Sequence, residues 1–531
     1  MPSAHRSRSR WIWILGLAAA AALGGGETAR AATPKAPEGF RVRLVAAVPA
    51  VKFPSQVATA PDGSLFVAED PMDQIGPADQ PINSILLLRP GQEPVVFAEG
   101  FNAIFGMLWV GDSLYVMNMP NLTVLRDADG DGKADERREL FTDLGVPAGF
   151  PNMLNDHIVS GLQLGIDGRL YVSVGDKGVP KATGPDGRTV SLRGGGIIRC
   201  RPDGTELEIY SSGTRNHLEP NLDAGDNLFT YDNTDDGLGW WTRVAHHVDG
   251  GYFGYPYDYH DRTDRILPRL AEYGGGSPCG GIVYNEDAWP EKYRGMVFWS
   301  EWGKRTVRAF RFEPDGASFR VAEAIDFLEP GEVEDFRPLD LALSDDGKTL
   351  YVADWSMGGW GNKKEKLGRI YAVTYEGPEP INPRPRGSNA DSTAELIASL
   401  DHPSFNERKR AQAELTKRGA AAWDEATAAL SAPETSALAK RHLVWTVAAI
   451  AEANQKDLGP LFGALKDSSA DVRAQAARAF GMARESDPKA TTALIPLLND
   501  PEPATRLQAV IALGRLGGSK AVEPLIPIVA D

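Results

Sequence analysis

The chain has 531 residues, 42% hydrophobic and 24% charged, a composition that excludes a wholly disordered or collagen-like polypeptide. Its 56 basic and 72 acidic residues leave a net charge of −16, and such an acidic field repels phosphate backbones, so nucleic acid is not an expected partner. The length suits two to four domains, and 56 Gly with 38 Pro demand many turns.

At the N-terminus, Arg6, Arg8 and Arg10 precede an apolar run from Trp11 to Leu23, and Ala29-Arg30-Ala31 offers small residues for cleavage. This is the pattern of a secretory signal peptide over residues 1–31, cut near Ala31. A membrane anchor is the weaker reading, because the run is short for a bilayer. No later segment approaches spanning length, so no membrane span is expected after cleavage, and the expected location is periplasmic or secreted. Cys200 and Cys279 are the only cysteines. An oxidising compartment permits them to pair, and separate burial is the alternative. Without Cys-x-x-Cys or Cys-x-x-Cys-His, no zinc ribbon, redox pair or covalent haem is expected in this chain.

From about residue 38 to 376 one phrase recurs: a turn rich in Asp and Gly, then a short β-prone run. It is read at Asp62-Gly63, Gly111-Asp112, Asp167-Gly168, Gly225-Asp226, Arg294-Gly295 and Asp346-Gly347. The apolar markers that follow, Leu65, Leu114, Leu170, Leu228, Val297 and Leu350, are spaced by 49, 56, 58, 69 and 53 residues. Asp-Gly turns before alternating apolar residues signal hairpins. Six units at a period near fifty predict a mainly β six-bladed propeller, with a β-sandwich as the alternative.

Composition changes after Tyr375. Pro378, Pro380, Pro383 and Pro385 mark a stiff linker over residues 377–390. From residue 391 to 531, Asp467, Arg473, Ala476, Ala479 and Gly481 recur 33 residues later as Asp500, Arg506, Ala509, Ala512 and Gly514. This predicts an all-α, HEAT-type solenoid in which Asp caps a helix start and Arg pairs with the Asp of a neighbouring repeat. The last repeat ends without a polar cap. An incomplete array is therefore expected, with Leu525, Ile526, Ile528 and Val529 exposed.

Four constellations carry possible chemistry. Asp127, Asp129, Asp131 and Asp135 occupy positions 1, 3, 5 and 9 of a Ca²⁺-loop pattern with Gly132 at position 6, although Arg138 replaces the bidentate Glu at position 12. An ion-free acidic hairpin is the bland alternative. Asn155-Asp156-His157 places a histidine before an inner strand, where it can face the propeller's funnel as a general base. Arg215 and Asn216 offer a planar fork and an amide. The following Asp232, Asn233, Asp235 and Asp236 are candidates for a second cation or for substrate. Lys304 and Arg305, after a blade strand, are candidates to receive an anion. Each of the last three also reads as a structural histidine, a solvated loop or a surface hairpin.

Together these motifs resemble the soluble quinoprotein glucose and sorbosone dehydrogenase-like propellers. They are closest to bacterial membrane-bound-dehydrogenase-like proteins that join the propeller to HEAT repeats, often with a C-terminal c-type haem domain that is absent here. The resemblance implies pyrroloquinoline quinone (PQQ) on the propeller axis, a Ca²⁺ ion, His157 as catalytic base, and Arg215, Asn216, Lys304 and Arg305 as cofactor-binding residues. It implies a sugar or polyol substrate and a protein partner on the HEAT surface, such as a cytochrome c electron acceptor. The chain departs from the family in three places. Arg-Asn-Pro reads Arg215-Asn216-His217, the calcium loop at the quinone is replaced by residues 232–236, and Asn285 stands where glucose-type members carry a lysine. Beside the dehydrogenase, a non-catalytic carbohydrate- or protein-binding propeller and a calcium-assisted lactonase or hydrolase are the alternatives.

Overall fold

A computed structural model describes residues 31–71, 81–146, 156–233, 241–259, 262–356, 367–483 and 488–530. The expected signal peptide up to Arg30, together with Asn155, Asp235 and Asp236, lies outside them. Among the described residues, no helix is long and apolar enough to cross a membrane.

The six predicted turns each open a hairpin between the first and second strands of a blade. Gly63, Gly111, Gly168, Gly295 and Gly347 all take positive φ, and in the fourth blade Asp226 does so in place of glycine. The turns are closed by the preceding carboxylate where one is present: Asp62, Asp167 and Asp346 accept backbone N–H bonds from the residue two positions on. The marker residues lie in the second strands Leu65–Glu69, Ser113–Asn118, Leu170–Val174, Leu228–Asp232, Met296–Glu301 and Thr349–Asp354.

Six blade sheets result, five of four antiparallel strands and the third with a fifth strand added at its edge, and the protein is a six-bladed β-propeller. The sixth blade takes its outermost strand, Phe40–Ala47, from the beginning of the domain; it pairs with Arg369–Tyr375 and closes the ring. The core lies between neighbouring blades: Phe66, Ile85 and Phe97 of the first pack with Ile104, Met107 and Val116 of the second. Each such side chain contributes about 1.5–3 kcal/mol on burial. Cys200 and Cys279 are both buried and free, so the pairing reading is not realised.

Five of the six inner strands carry a register shift at one end, between Pro54 and Gln56, Ile104 and Gly106, Val159 and Leu162, Pro278 and Gly281, and Pro338 and Asp340. A bulge bends its strand and re-aims a side chain. Here the repeated bulges turn Phe105, Cys279 and Leu339 into one cavity on the axis.

Residues 376–390 have no regular structure but are pinned to the propeller: Arg384 donates its backbone N–H to Asp287, and Arg386 pairs with Glu286 and Asp345. Helices begin at Thr393–Ser399, where Ser392 and Glu395 form a capping box. The longer helices Phe405–Arg418, Ala437–Ala453, Ala470–Gly481 and Pro503–Leu516 stack in sequence. The predicted ladder exists. Arg473 pairs with Asp500 at 2.7 Å, and Lys440 pairs with Asp467 one repeat earlier, also at 2.7 Å. The capping expectation needs correction. Asp467 and Asp500 stand two residues before the N-caps, Ser469 and Glu502, and accept the backbone N–H of those cap residues.

The helices dock on the face of the propeller that carries the Asp-Gly turns. Arg478 reaches Asp167 at 2.7 Å, Asp226 at 3.3 Å and the Tyr171 hydroxyl at 2.5 Å. Gln412, Arg441 and Gln475 donate to the carbonyls of Ile166, Ala224 and Gly225. One face of the array is thus covered by this chain's own propeller. In the last helix, Ser519–Ala530, Ile526 and Ile528 are exposed as expected, but Leu525 packs against the helical core. The Val529 side chain lies outside the described residues.

Candidate active site

The axial cavity opens on the face opposite the helices and has a volume of about 330 Å³. His157, Arg215, Asn216 and Asn233 all line it. Its walls are Phe105, Ile158, Leu218, Leu339, Trp302 and Trp355. The indoles are fixed from behind, Trp302 donating to the carbonyl of Trp355 and Trp355 to that of Asp70.

His157 sits just before the inner strand Val159–Leu164, with φ of +52°, a strained position for a residue with a side chain. The neighbouring turn holds it there. Gly175 lies against the His157 backbone so closely that a Cβ would collide with it, and Lys177 donates its N–H to the His157 carbonyl. His157 Nδ1 lies 2.7 Å from Asp176 Oδ1. Burial raises the Asp176 pKa, but the hydrogen bond and charge of His157, the Arg215 charge and the Tyr255 hydroxyl outweigh it and leave it below the usual carboxylate range. Asp176 is therefore ionised at neutral pH, Nδ1 carries the proton, and Nε2 is left as a base. Asp176 was not singled out in the sequence. Its signal was the His-to-Asp register across one hairpin.

Arg215 and Asn216 are held by a residue assigned another role. Asp232 is fully buried at the end of a second strand, and its carboxylate accepts the backbone N–H groups of both Arg215 and Asn216. This corrects its expected part in a second cation site, because its oxygens are already committed to the backbone. Asn233 accepts the Arg215 guanidinium through its carbonyl at 2.9 Å. Asn216 is buried, and its Oδ1 has no hydrogen-bond partner. An amide left that way costs stability unless something enters the cavity to meet it.

His217 explains one departure from the family phrase. It turns away from the cavity, lies between the hydroxyls of Thr214 and Ser173, and burial lowers its pKa to about 4. Asn285 does not reach the cavity at all. It follows the opposite end of its strand, and its carbonyl accepts the Phe405 N–H of the docked helices. Lys304 and Arg305 are a further correction, since neither lines the cavity. The turn after Met296–Glu301 folds outward, sending the Lys304 amine to the Tyr273 carbonyl and, with φ of +63°, the Arg305 guanidinium to the Glu334 carbonyl.

Asp127, Asp129 and Asp135 converge to within 4.8 Å of one another. Asp131 does not join them; its carboxylate accepts the Lys133 N–H. This loop links the third and fourth strands of the second blade, on the same face as the Asp-Gly turns, away from the cavity. Two acids that the sequence reading missed lie one residue beyond the cavity wall. Glu219 and Asp340 are buried, and burial raises both pKa values, Asp340 to about 7, with the Asp340 charge adding to the shift of Glu219. Gly161 and Gly280 make room for them.

A family model described as a domain of unknown function, DUF7133, matches residues 29–358, more than half of the chain. The chain belongs to the DUF7133 family. A model for HEAT repeats matches residues 458–531. No curated protein sequence matches this DUF7133 member. Its fold is similar to that of an oxidoreductase of Thermus thermophilus, provisionally a glucose dehydrogenase (21% identity, 63% of this chain and 100% of that one, TM-score 0.48). It is also similar to a Trichoderma reesei carbohydrate-active enzyme of family AA12 (13%, 66% and 100%, 0.46). A third likeness is the PQQ domain of a Coprinopsis cinerea pyranose dehydrogenase in its holo form (12%, 65% and 97%, 0.43). All three are likenesses of fold.

Proposed function

We propose that the chain is an exported quinoprotein-type dehydrogenase that oxidises a sugar or related alcohol in the axial cavity. The observation that carries this reading is the His157–Asp176 pair facing the same cavity as Arg215 and Asn216. The residues fit one side of a flat anionic quinone. Arg215 supplies a guanidinium for a carboxylate, and Asn216 supplies a buried amide that can present a donor by turning over. Phe105, Trp302 and Trp355 supply apolar walls. Pyrroloquinoline quinone, when bound, supplies the carbon that accepts hydride.

The chain's own residues do the rest. Asp176 fixes the tautomer of His157, so that Nε2 faces substrate as the acceptor of the hydroxyl proton. A general base placed in this way contributes roughly 10²–10⁴-fold in rate. Asp232 holds Arg215 and Asn216 against the cavity, and the aromatic walls limit water. On this reading a Ca²⁺ ion in the loop at Asp127, Asp129 and Asp135 is structural, because that loop lies on the other face. The exposed side of the helical array is left for a protein partner that takes the electrons.

The test is to load the purified chain with the quinone and Ca²⁺ and to look for a bound-quinone spectrum that bleaches with sugars. Loading with no bleaching by any sugar or polyol would reject the reading. One observation favours a second reading, a carbohydrate-binding propeller without catalysis. Lys304 and Arg305, which would balance the remaining carboxylates, turn away from the cavity. Sugar binding that is equally tight with and without the quinone, and no turnover, would favour it.

A further inference from the structure

The fourth blade does not pass directly from its third strand, Arg243–His247, to its fourth, Ala271–Glu272. Residues 248–259 leave the blade, and the chain has rejoined it at Leu270, whose N–H donates to the Val244 carbonyl. Gly251 and Tyr252 add a fifth strand to the third blade, pairing with Ser211 and Ser212 in the only parallel ladder among the described residues. A propeller needs no such strand. The path is nevertheless built closely. Phe253 donates its N–H to Ser212 and Tyr255 to Gly213, at 2.9 and 2.8 Å. Gly213 takes φ of +85°, and a Cβ there would stand 2.6 Å from the Gly254 nitrogen, so only glycine lets the two segments approach. On this excursion lies Tyr255, whose hydroxyl hydrogen-bonds the Asp176 carboxylate.

We propose that Tyr255 is a positioning residue that sets the base strength of His157 by sharing the charge of Asp176. Its kinetic consequence rests on the dehydrogenase reading; the coupling itself does not. Asp176 is met from three sides. His157 Nδ1 lies 2.7 Å away, the Arg215 charge acts from the connection between the third and fourth blades, and Tyr255 comes from the excursion. The other charges nearby, Lys177 and Asp156, are paired with each other at 2.9 Å.

A donor on the carboxylate draws negative charge towards itself and away from the imidazole. Imidazolium is then less stabilised, so His157 stays neutral to lower pH and remains available as a base. Removing the hydroxyl concentrates the charge on His157, whose titration must rise. Removing the charge altogether must make it fall. The two changes have opposite signs, which general loosening of the site does not produce.

The test uses the full chain without added cofactor. The imidazole carbons are labelled, His157 is assigned by its loss in a His157→Gln variant, and its titration is followed by NMR. Tyr255→Phe, which keeps the ring, is expected to raise the His157 pKa by about half a unit. Asp176→Asn is expected to lower it, and adding Tyr255→Phe to Asp176→Asn to change nothing further. In the quinone-loaded chain the acid limb of kcat/KM should move up with Tyr255→Phe by the same amount. An unmoved His157 titration in folded Tyr255→Phe overturns the proposal, as does the same shift with and without the Asp176 carboxylate. If the titrations move as expected but the loaded chain oxidises no alcohol, the coupling stands and the dehydrogenase reading falls.

Discussion

The two faces of the propeller are made from equivalent connections of the same six blades, yet they treat buried polar groups in opposite ways. On the helix-bearing face, two turn carboxylates, Asp167 and Asp226, are buried and meet Arg478, with the Tyr171 hydroxyl completing the set. On the cavity face, Asn216 is buried with an oxygen that meets nothing, and His157 is held at a positive φ. Closed networks contribute rigidity, while open and strained groups reduce stability and remain available to a ligand. The same fold therefore separates a closed, braced face from an open one.

The contrast is tested most directly by removing one residue from each face. His157→Ala should lower turnover of the quinone-loaded chain by roughly 10²–10⁴-fold. Quinone binding, read from the bound spectrum, should survive because Arg215 and Asn216 remain. Turnover within a factor of two of the parent would place the base elsewhere. Arg478→Ala should do the converse. It leaves Asp167 and Asp226 buried without their cation, a loss of about 3–5 kcal/mol. The denaturant midpoint should drop, while kcat of the folded fraction at 25 °C stays unchanged. A midpoint like that of the parent would mean that the docked face contributes nothing.

The two faces were also unequally legible in the sequence. The blades could be read because an Asp-Gly turn before an apolar run is a local rule. Leu65, Leu114, Leu170, Leu228, Val297 and Leu350 all fall in second strands. His157, Arg215, Asn216 and Asn233 could be placed together because the ends of inner and second strands converge on the axis. Lys304 and Arg305 could not, since two cations after a strand do not say which way the turn folds. Asp232 was misread because a carboxylate in a polar run looks the same whether it meets an ion or backbone N–H groups. Arg478 was hidden in a helix whose small residues signalled only packing, and its partners are more than 250 residues away.

A smaller effect should appear as a pH dependence of stability. Asp226 is raised to about 7 by burial and by the Asp167 charge, although Arg478 and two backbone N–H bonds oppose the shift. Its unfolded value is near 3.9. Between these values the folded chain holds a proton that the unfolded chain has lost, so this contribution to stability is full at acid pH and is lost as pH rises through 7. Asp340, raised to about 7 by burial on the axis, acts in the same direction. Asp226→Asn cannot ionise, so it should flatten part of the decline seen by denaturant unfolding between pH 4 and 8. A parent-like slope in the variant would show that Asp226 is already ionised beside Arg478.

The smallest expected effect concerns the acidic loop of the second blade. Asp127, Asp129 and Asp135 bring oxygens together, but each also accepts backbone N–H bonds within the loop. These bonds brace the loop by themselves, and Asp129 and Asp135 are exposed to water. A cation bound there gains from the clustered charge but orders little chain, so its stabilisation should be modest and set by mass action, RT ln(1 + [L]/Kd). Excess Ca²⁺ over chelator should raise Tm by a few degrees, and Asp129→Ala with Asp131→Ala should abolish the rise. Asp131→Ala alone separates the sequence reading from the structure. Because its carboxylate caps the Lys133 N–H outside the cluster, the single change should keep most of the calcium response, whereas Asp129→Ala alone should lose it. Equal losses from the two single changes would restore Asp131 to the ligand set, and identical melting of all variants with and without calcium would remove the site altogether.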